Sequence, residues 1–216
     1  MKPRFIQVNC EEGGRVDLRQ ARVVSRYKPD VIFFELPAEQ NSFLENFNRR
    51  SPGQKPWKEI EKIKRNLCRT AKKVPYALSD VYVWENIEKL WRAGHDVLLY
   101  NVDAPKELRF HGYKRYRKVP YAVARRQLWF WEYLYVRERI MAQNIERILK
   151  RFRQKKSLVI AVFLQSIHWK HVQFLLTNPS RQSVWKYYFG RFPHLNKLDL
   201  ENKIKNEDRI LYKYWH

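Results

Sequence analysis

Four short apolar runs, rich in β-branched and aromatic residues, predict four β-strands. They cover residues 5–8, 31–36, 97–102 and 158–164. Three of these runs are almost continuously apolar, which is typical of parallel strands that are covered on both faces. The pattern therefore favours a sheet that is buried inside the protein.

Between the runs, apolar positions recur at helical spacing and predict helices at residues 17–27, 57–72, 79–93 and 125–153. The alternation of strands and helices predicts an α/β fold, with an open, largely parallel sheet of about four or more strands flanked by helices. We expect this α/β domain to occupy residues 1–177.

Two segments fall outside this regular pattern. Residues 37–56 are polar and contain Gly53 and prolines, and we predict a loop or lid there. Residues 178–216 combine basic and aromatic side chains, and we predict a basic aromatic C-terminal extension that packs on the α/β domain.

The net charge is the unusual feature of the composition. The 216 residues include 44 Lys and Arg against 22 Asp and Glu, a formal charge of +22, while 44% of the residues are hydrophobic. The charge therefore lies on a folded body, where it favours a polyanionic partner. Nucleic acid, with RNA favoured, fits best because neutralised phosphates release condensed counterions. A basic surface that is merely solvated is the alternative.

Other classes of protein are less compatible with the sequence. The longest apolar run is too short to span a membrane, and no signal-peptide pattern precedes the first strand. The two cysteines, Cys10 and Cys68, lack metal-site spacing, which favours a reducing compartment without disulfides. We therefore expect a cytoplasmic protein.

The stretch from 110 to 126 is the strongest candidate for contact with nucleic acid. It contains no acid, and tyrosines interleave with its cations, a pattern that suits phosphate contacts and base stacking. Residues 62–73 and 147–156 form two further basic clusters. No zinc, P-loop or helix-turn-helix pattern accompanies them, so we expect recognition of backbone and shape. The predicted contact residues are Lys114, Arg115, Arg117, Lys118, Arg125, Arg126, Tyr113 and Tyr116.

Polar side chains follow the predicted strands. Glu35 lies at the end of the second strand, Asp103 follows the third, and His168 follows the fourth. The carboxyl ends of parallel strands meet at one edge of the sheet, where α/β proteins place their sites. A carboxylate at the end of an apolar strand needs a partner or a chemical role. We interpret these residues as a candidate catalytic site, although each one singly also fits a structural role.

Two charged residues of the long predicted helix belong to the same hypothesis. Arg137 and Glu138 lie beside the apolar stripe of that helix, not on its solvent face. Charges that point inward are costly unless they meet other charges. The expected partners are Glu35, Asp103 and His168. A buried ion pair that only ties the helix to the sheet is the alternative.

These residues carry a resemblance to a known family. Residues 137–145, the strand at 158–164 and His168 resemble the end of the TraB/TIKI and EreA/ChaN-like superfamily, which shows an Arg-acid-x-x-Met helix, a strand and a Gly-x-x-His-like turn. Residues 28–36 resemble its Lys-Pro-Asp-x-Val-x-x-Glu-Leu segment, and Asp103 lies where the family often places an aspartate. The resemblance implies an α/β fold, metal-dependent hydrolysis in some members, and roles for Glu35, Arg137, Glu138 and His168.

The family's first Gly-x-x-His turn is replaced here by Asn9-Cys10-Glu11-Glu12, which has no histidine. A divalent ion, whether manganese, zinc or magnesium, would therefore rely on carboxylates beside the remaining imidazole. The candidate ligands are Glu11, Glu35 and His168. Two functions stay open: a basic α/β protein that binds structured RNA or ribosomes, and a metal-dependent hydrolase such as a nuclease.

Overall fold

The computed structural model describes residues 3–9, 18–73, 77–108 and 128–177. Its four strands are parallel and form one sheet in the order β1-β4-β2-β3. This confirms the predicted α/β fold, and each observed strand overlaps its predicted run. The strands are β1 (Arg4–Asn9), β2 (Val31–Pro37), β3 (Leu98–Asp103) and β4 (Val159–Leu164).

Helices cover both faces of the sheet. Their bounds are α1 (Leu18–Tyr27), α2 (Asn41–Asn48), α3 (Trp57–Ala71), α4 (Ala77–Arg92), α5 (Leu128–Lys150) and α6 (Ser166–Thr177). Residues of α5 and α6, such as Met141 and Trp169, are buried against one face. Residues of α1 to α4, such as Val24, Phe47 and Trp91, are buried against the other. The sheet is therefore covered on both sides, as the continuous apolar runs predicted.

The prediction of a loop or lid at residues 37–56 is wrong. The segment contains the helix α2, with short 3₁₀ turns at Ala38–Gln40 and Pro52–Gln54. The prolines lie outside α2, so they mark its ends and do not interrupt it. Leu44 and Phe47 bury the apolar side of this helix.

Two asparagines of α2 cover the open edge of the sheet at β3. The side chain of Asn48 donates to the carbonyl of Leu99 and accepts from its N–H, at 2.8 and 2.9 Å. Asn41 makes the same pair of bonds with the backbone of Asn101, at 2.9 and 2.7 Å. These amides satisfy backbone groups that a fifth strand would otherwise bind, which protects an edge that could pair with another chain.

The connections after the neighbouring strands β2 and β4 diverge at the carboxyl edge of the sheet. The helix after β2, α2, packs on one face of the sheet, while the helix after β4, α6, packs on the other. Ligand sites of open α/β sheets lie where successive connections diverge in this way. The carboxyl ends of β2 and β4 are therefore the place where this fold would hold a site.

Three other predictions can be placed against this fold. None of the helices in the described ranges combines the length and apolar composition that crossing a bilayer requires. Cys68 is exposed and free of any disulfide, whereas Cys10 lies outside the described residues. The predicted extension at 178–216 also lies outside them.

Candidate functional site

Arg137 of α5 is the centre of a charged cluster at the carboxyl edge of the sheet. Its guanidinium donates to both oxygens of Asp103, at 2.7 and 2.6 Å, and to Glu35 Oε1 at 2.7 Å. The side chain of Asp103 is fully buried, and those of Arg137 and Glu35 are 10% and 14% exposed. Arg137 also lies 3.2 Å through its Nη1 from His168 Nε2, so this charge pointing inward from α5 meets all three partners that the sequence predicted.

A second group of side chains adjoins the first. His168 of α6 lies 2.9 Å through its Nδ1 from Glu138 Oε1, and the Nδ1 of His171 is bonded to Glu138 Oε2. All three side chains are almost fully buried. One carboxylate is therefore held between two imidazoles. We call Glu35, Asp103, Arg137, Glu138, His168 and His171 the carboxyl-edge cluster.

Reasoning from the sequence missed His171. It lies three residues after His168, so both imidazoles fall on the same face of α6. That spacing was the available signal. It becomes informative only once a helix is assigned to residues 166–177, and no helix was predicted there.

The two groups meet at His168. Arg137 Nη1 lies 3.2 Å from His168 Nε2. Because a guanidinium can only donate, Nε2 is the acceptor in this contact, which leaves Nδ1 as the ring nitrogen that donates its proton. That proton is donated to Glu138. His168 therefore links the guanidinium of Arg137 to the carboxylate of Glu138 through hydrogen bonds at its two ring nitrogens.

Backbone N–H groups complete the binding of the two sheet carboxylates. The N–H of Gln165, directly after β4, donates to Glu35 Oε2 at 2.8 Å. The N–H of Ala104 donates to Asp103 Oδ1 at 2.7 Å. Burial of charge is tolerable when the remaining lone pairs are satisfied in this way. The cluster thus joins β2, β3, α5 and α6 in one network of hydrogen bonds.

The described residues do not fit a metal ion between Glu35 and His168. His168 Nε2 lies 3.7 Å from Glu35 Oε1, but both atoms are already directed at N–H groups of Arg137. A divalent cation would need these lone pairs for itself. In the ranges that the structure describes, no three His, Cys, Asp or Glu side chains are placed to hold a metal. The third predicted ligand, Glu11, lies outside the described residues.

The predicted nucleic-acid contacts also lie outside the described residues. They are Lys114, Arg115, Arg117, Lys118, Arg125, Arg126, Tyr113 and Tyr116. The two further basic clusters that the sequence indicated, at 62–73 and 147–156, do lie within the described ranges.

The cluster at 62–73 contains no acid itself but lies beside acids of α3 and α4. Lys64 forms ion pairs with Glu61 and Glu88 at 2.6 and 2.7 Å, beside a groove of about 410 Å³ that Glu85 also lines. Burial raises the pKa of Glu88, but hydrogen bonds and charges from Lys64 and Arg92 outweigh it, so this pKa lies below its ordinary value. Burial lowers the pKa of Lys64, and the two glutamates raise it above its ordinary value. Charge on this surface is therefore partly balanced.

The cluster at 147–156 lies at the opposite edge of the sheet from the carboxyl-edge cluster. It covers the last turn of α5 and the connection to β4, and most of its cations are exposed. Two acids form described ion pairs with it: Glu146 with Lys150 at 3.2 Å, and Asp30 with Lys155 at 3.5 Å.

No protein-family model, curated protein or solved structure matches this chain.

Proposed function

We propose that this protein binds nucleic acid, with RNA favoured, through contacts to backbone phosphates. The observation that supports this function is the distribution of charge between the interior and the surface. Across the described residues, exposed lysines and arginines far outnumber exposed aspartates and glutamates. A phosphate backbone is the polyanion that such a surface fits, because each neutralised phosphate releases a condensed counterion.

Several of the acids are paired with cations that lie inside the fold. Arg137 engages Asp103 and Glu35, and Lys64 engages the buried Glu88. Lys55, whose side chain is fully buried, pairs with Asp96. Since these carboxylates balance buried or half-buried cations, they cannot balance the surface. The surface is therefore more positive than the composition alone implies.

A salt series with a short RNA hairpin tests the proposed function. We expect log K to fall linearly with the logarithm of salt concentration, because counterion release drives the binding. Changing Lys114, Arg115, Arg117 and Lys118 together to Ala should weaken binding if the stretch at 110–126 takes part. Absence of RNA binding at low salt, or an affinity that does not change with salt, would contradict the proposal. The absorbance ratio of protein purified from its native cell gives an independent measurement of bound nucleic acid.

A second candidate function is hydrolysis at the carboxyl-edge cluster. It is favoured by the convergence of Glu35, Arg137, Glu138 and two buried imidazoles at the carboxyl ends of β2 and β4. Ionisable groups that meet at this edge of a parallel sheet are typical of catalytic sites. In this role Glu138 would hold the His168 proton on Nδ1, and Arg137 would stabilise negative charge on a substrate.

This second candidate has its own test. Hydrolysis of phosphodiester, ester and peptide substrates would be measured with and without added manganese, zinc or magnesium. We expect Glu138→Gln to remove any activity while RNA affinity is unchanged. Activity that is equal in the wild type and in this variant would contradict a catalytic role for the cluster.

A further inference from the structure

Exposed cations gather at the amino edge of the sheet, opposite the carboxyl-edge cluster. Arg4 begins β1, Lys156 lies three residues before β4, and Lys28 lies three residues before β2. Because β1, β4 and β2 are neighbours in the sheet, these positions span about 10 Å. We define the amino-edge surface as Arg4, Arg26, Lys28, Arg151, Arg153, Lys155 and Lys156, all of which are exposed.

The acids beside this surface are already engaged. Asp30 accepts a hydrogen bond from the backbone N–H of Val159 at 2.8 Å and lies 3.5 Å from Lys155. Asp96 pairs at 3.0 Å with Lys55, which does not belong to the surface. Neither carboxylate therefore balances more than one of the seven cations.

Helix dipoles do not account for the remaining charge. The helices α1, α4 and α5 each precede a strand, so their carboxyl ends lie at the amino edge. Each contributes a partial charge of about −0.5, or about −1.5 for the three together. That is smaller than the positive charge left after Asp30 is counted. Among the described residues the rest of this charge is not balanced by acids, so it is available to phosphates outside the fold.

An unusual backbone conformation keeps one of these cations in place. The helix α4 is followed by Gly94, whose φ is +81°, as is common after a helix. The helix α1 is followed by Lys28, whose φ is +43°, although a lysine is strained in this left-handed region. His95 Nε2 donates to the carbonyl of Lys28 at 2.9 Å and stabilises the turn. A glycine would relieve the strain at this position, whereas the lysine found there adds a cation to the amino-edge surface.

The aromatic side chain on this surface is not available for stacking. The guanidinium carbons of Arg4 and Arg26 lie 5.5 and 5.2 Å from the centroid of the Tyr27 ring. Because two cations already occupy the ring, it cannot serve as a platform for an unpaired base. The described part of the surface offers phosphate contacts, which favours a double helix over a single strand.

We propose that the amino-edge surface binds the phosphate backbone of double-helical RNA. This inference rests on the proposed function and adds to it the location of the contact and the class of nucleic acid. In this proposal no base is stacked between side chains. The contacts are made to phosphates that lie in a row along the amino ends of β1, β4 and β2. Binding here is therefore independent of base sequence.

The test compares two variants with equal loss of charge. The amino-edge variant carries Arg26→Gln, Lys28→Gln, Arg153→Gln and Lys156→Gln. The matched control removes two lysines and two arginines from α3 and the residue that follows it, as Lys62→Gln, Arg65→Gln, Arg69→Gln and Lys72→Gln. The probes are an RNA duplex, a DNA duplex of the same sequence, and an unstructured oligouridine. We expect the amino-edge variant to bind the RNA duplex at least about tenfold more weakly than the control does.

The other possible results of this binding experiment contradict either the inference alone or the proposed function as well. If the wild type binds none of the probes, both the proposed function and this inference fail. If the two variants lose affinity equally, or if oligouridine binds as tightly as the duplex, the inference fails while nucleic-acid binding stands. Equal affinity for the DNA duplex and the RNA duplex would overturn the assignment to RNA.

Lys28→Gly separates a role in binding from a role in folding. Glycine relieves the strained φ and removes the cation, so we expect a higher melting temperature together with weaker binding of the RNA duplex. A structural role alone predicts a change in stability with no change in affinity. Unchanged affinity in Lys28→Gly would therefore overturn the contribution of Lys28 to the surface.

Discussion

The two edges of the sheet treat charge in opposite ways. At the carboxyl edge, Arg137 is buried and meets Asp103 and Glu35, and the backbone also satisfies those carboxylates. At the amino edge, Lys28 and Lys156 are exposed. Of the two nearby carboxylates, Asp30 pairs with Lys155 of the same surface and Asp96 pairs with Lys55, which lies outside it. A net charge of +22 does not reveal this division. The comparison shows that acids and a base form buried ion pairs at the carboxyl edge, whereas exposed bases outnumber acids at the amino edge.

The largest expected effect is the loss of the guanidinium at the carboxyl edge. Arg137→Met keeps the length of the side chain but leaves Asp103 and Glu35 buried without a cation. We expect the free energy of unfolding to fall by about 3–5 kcal/mol, as measured by urea denaturation. Arg153→Met, at the exposed amino edge, is the control and should change stability by less than about 0.5 kcal/mol. Equal effects of the two substitutions would remove the difference between the edges.

The next effect concerns the carboxylate between the two imidazoles. Glu138→Gln keeps the shape but places an NH₂ group against a ring N–H of His168 or His171. A buried donor then lacks an acceptor, and we expect a loss of about 2 kcal/mol in the same measurement. Glu146→Gln is a matched control, because its ion pair with Lys150 is exposed and contributes little. A loss no greater than that of the control would show that the cluster is open to water.

A smaller effect of opposite sign is expected at the amino edge. Lys28→Gly should raise the free energy of unfolding by about 1 kcal/mol, because it removes the strain of a left-handed lysine. Lys28→Ala, which keeps the strain and removes the charge, is the control and should not stabilise the protein. Stabilisation by both substitutions to the same extent would instead indicate charge repulsion among the amino-edge cations.

The smallest expected effect is on the pH dependence of the free energy of unfolding. It comes from the ion pairs of Glu88 between α3 and α4, which are intermediate in exposure between the two edges. The pKa of Glu88 is lowered in the folded state, so its contribution is fully present above the ordinary value of 4.5. It is lost as the pH falls through the lowered value. We expect a difference of about 1 kcal/mol or less between the wild type and Glu88→Gln at neutral pH.

This difference should disappear in strongly acidic solution, as followed by denaturation at a series of pH values. A difference that persists at low pH would mean that Glu88 acts through packing and not through its charge.

The fold and the carboxyl-edge cluster could be predicted in large part from local pattern. Continuous apolar runs indicated the parallel strands, and the position of Arg137 beside an apolar stripe indicated an inward charge that needed Glu35 and Asp103. These signals are local because side-chain direction follows from the period of each element. The structure confirms the contacts that they indicated.

Other features could not be predicted because they depend on contacts between distant parts of the chain. The amino-edge surface exists only because β4 lies between β1 and β2, which brings Lys156 beside Arg4 and Lys28. Strand order is set by the packing of the whole domain and leaves no local pattern. The helix α2 was missed for a related reason, since its stability comes from burying Leu44 and Phe47 and not from helix propensity.

The most direct test of the difference between the two edges is the salt dependence of RNA-duplex binding in the wild type and in the amino-edge variant. Each phosphate contact contributes a slope of about −0.9 to a plot of log K against log salt concentration. With four cations removed, we expect the slope to become shallower by about 3 to 4, while the free energy of unfolding stays close to that of the wild type. Parallel plots for the two proteins would contradict the assignment of phosphate binding to the amino edge.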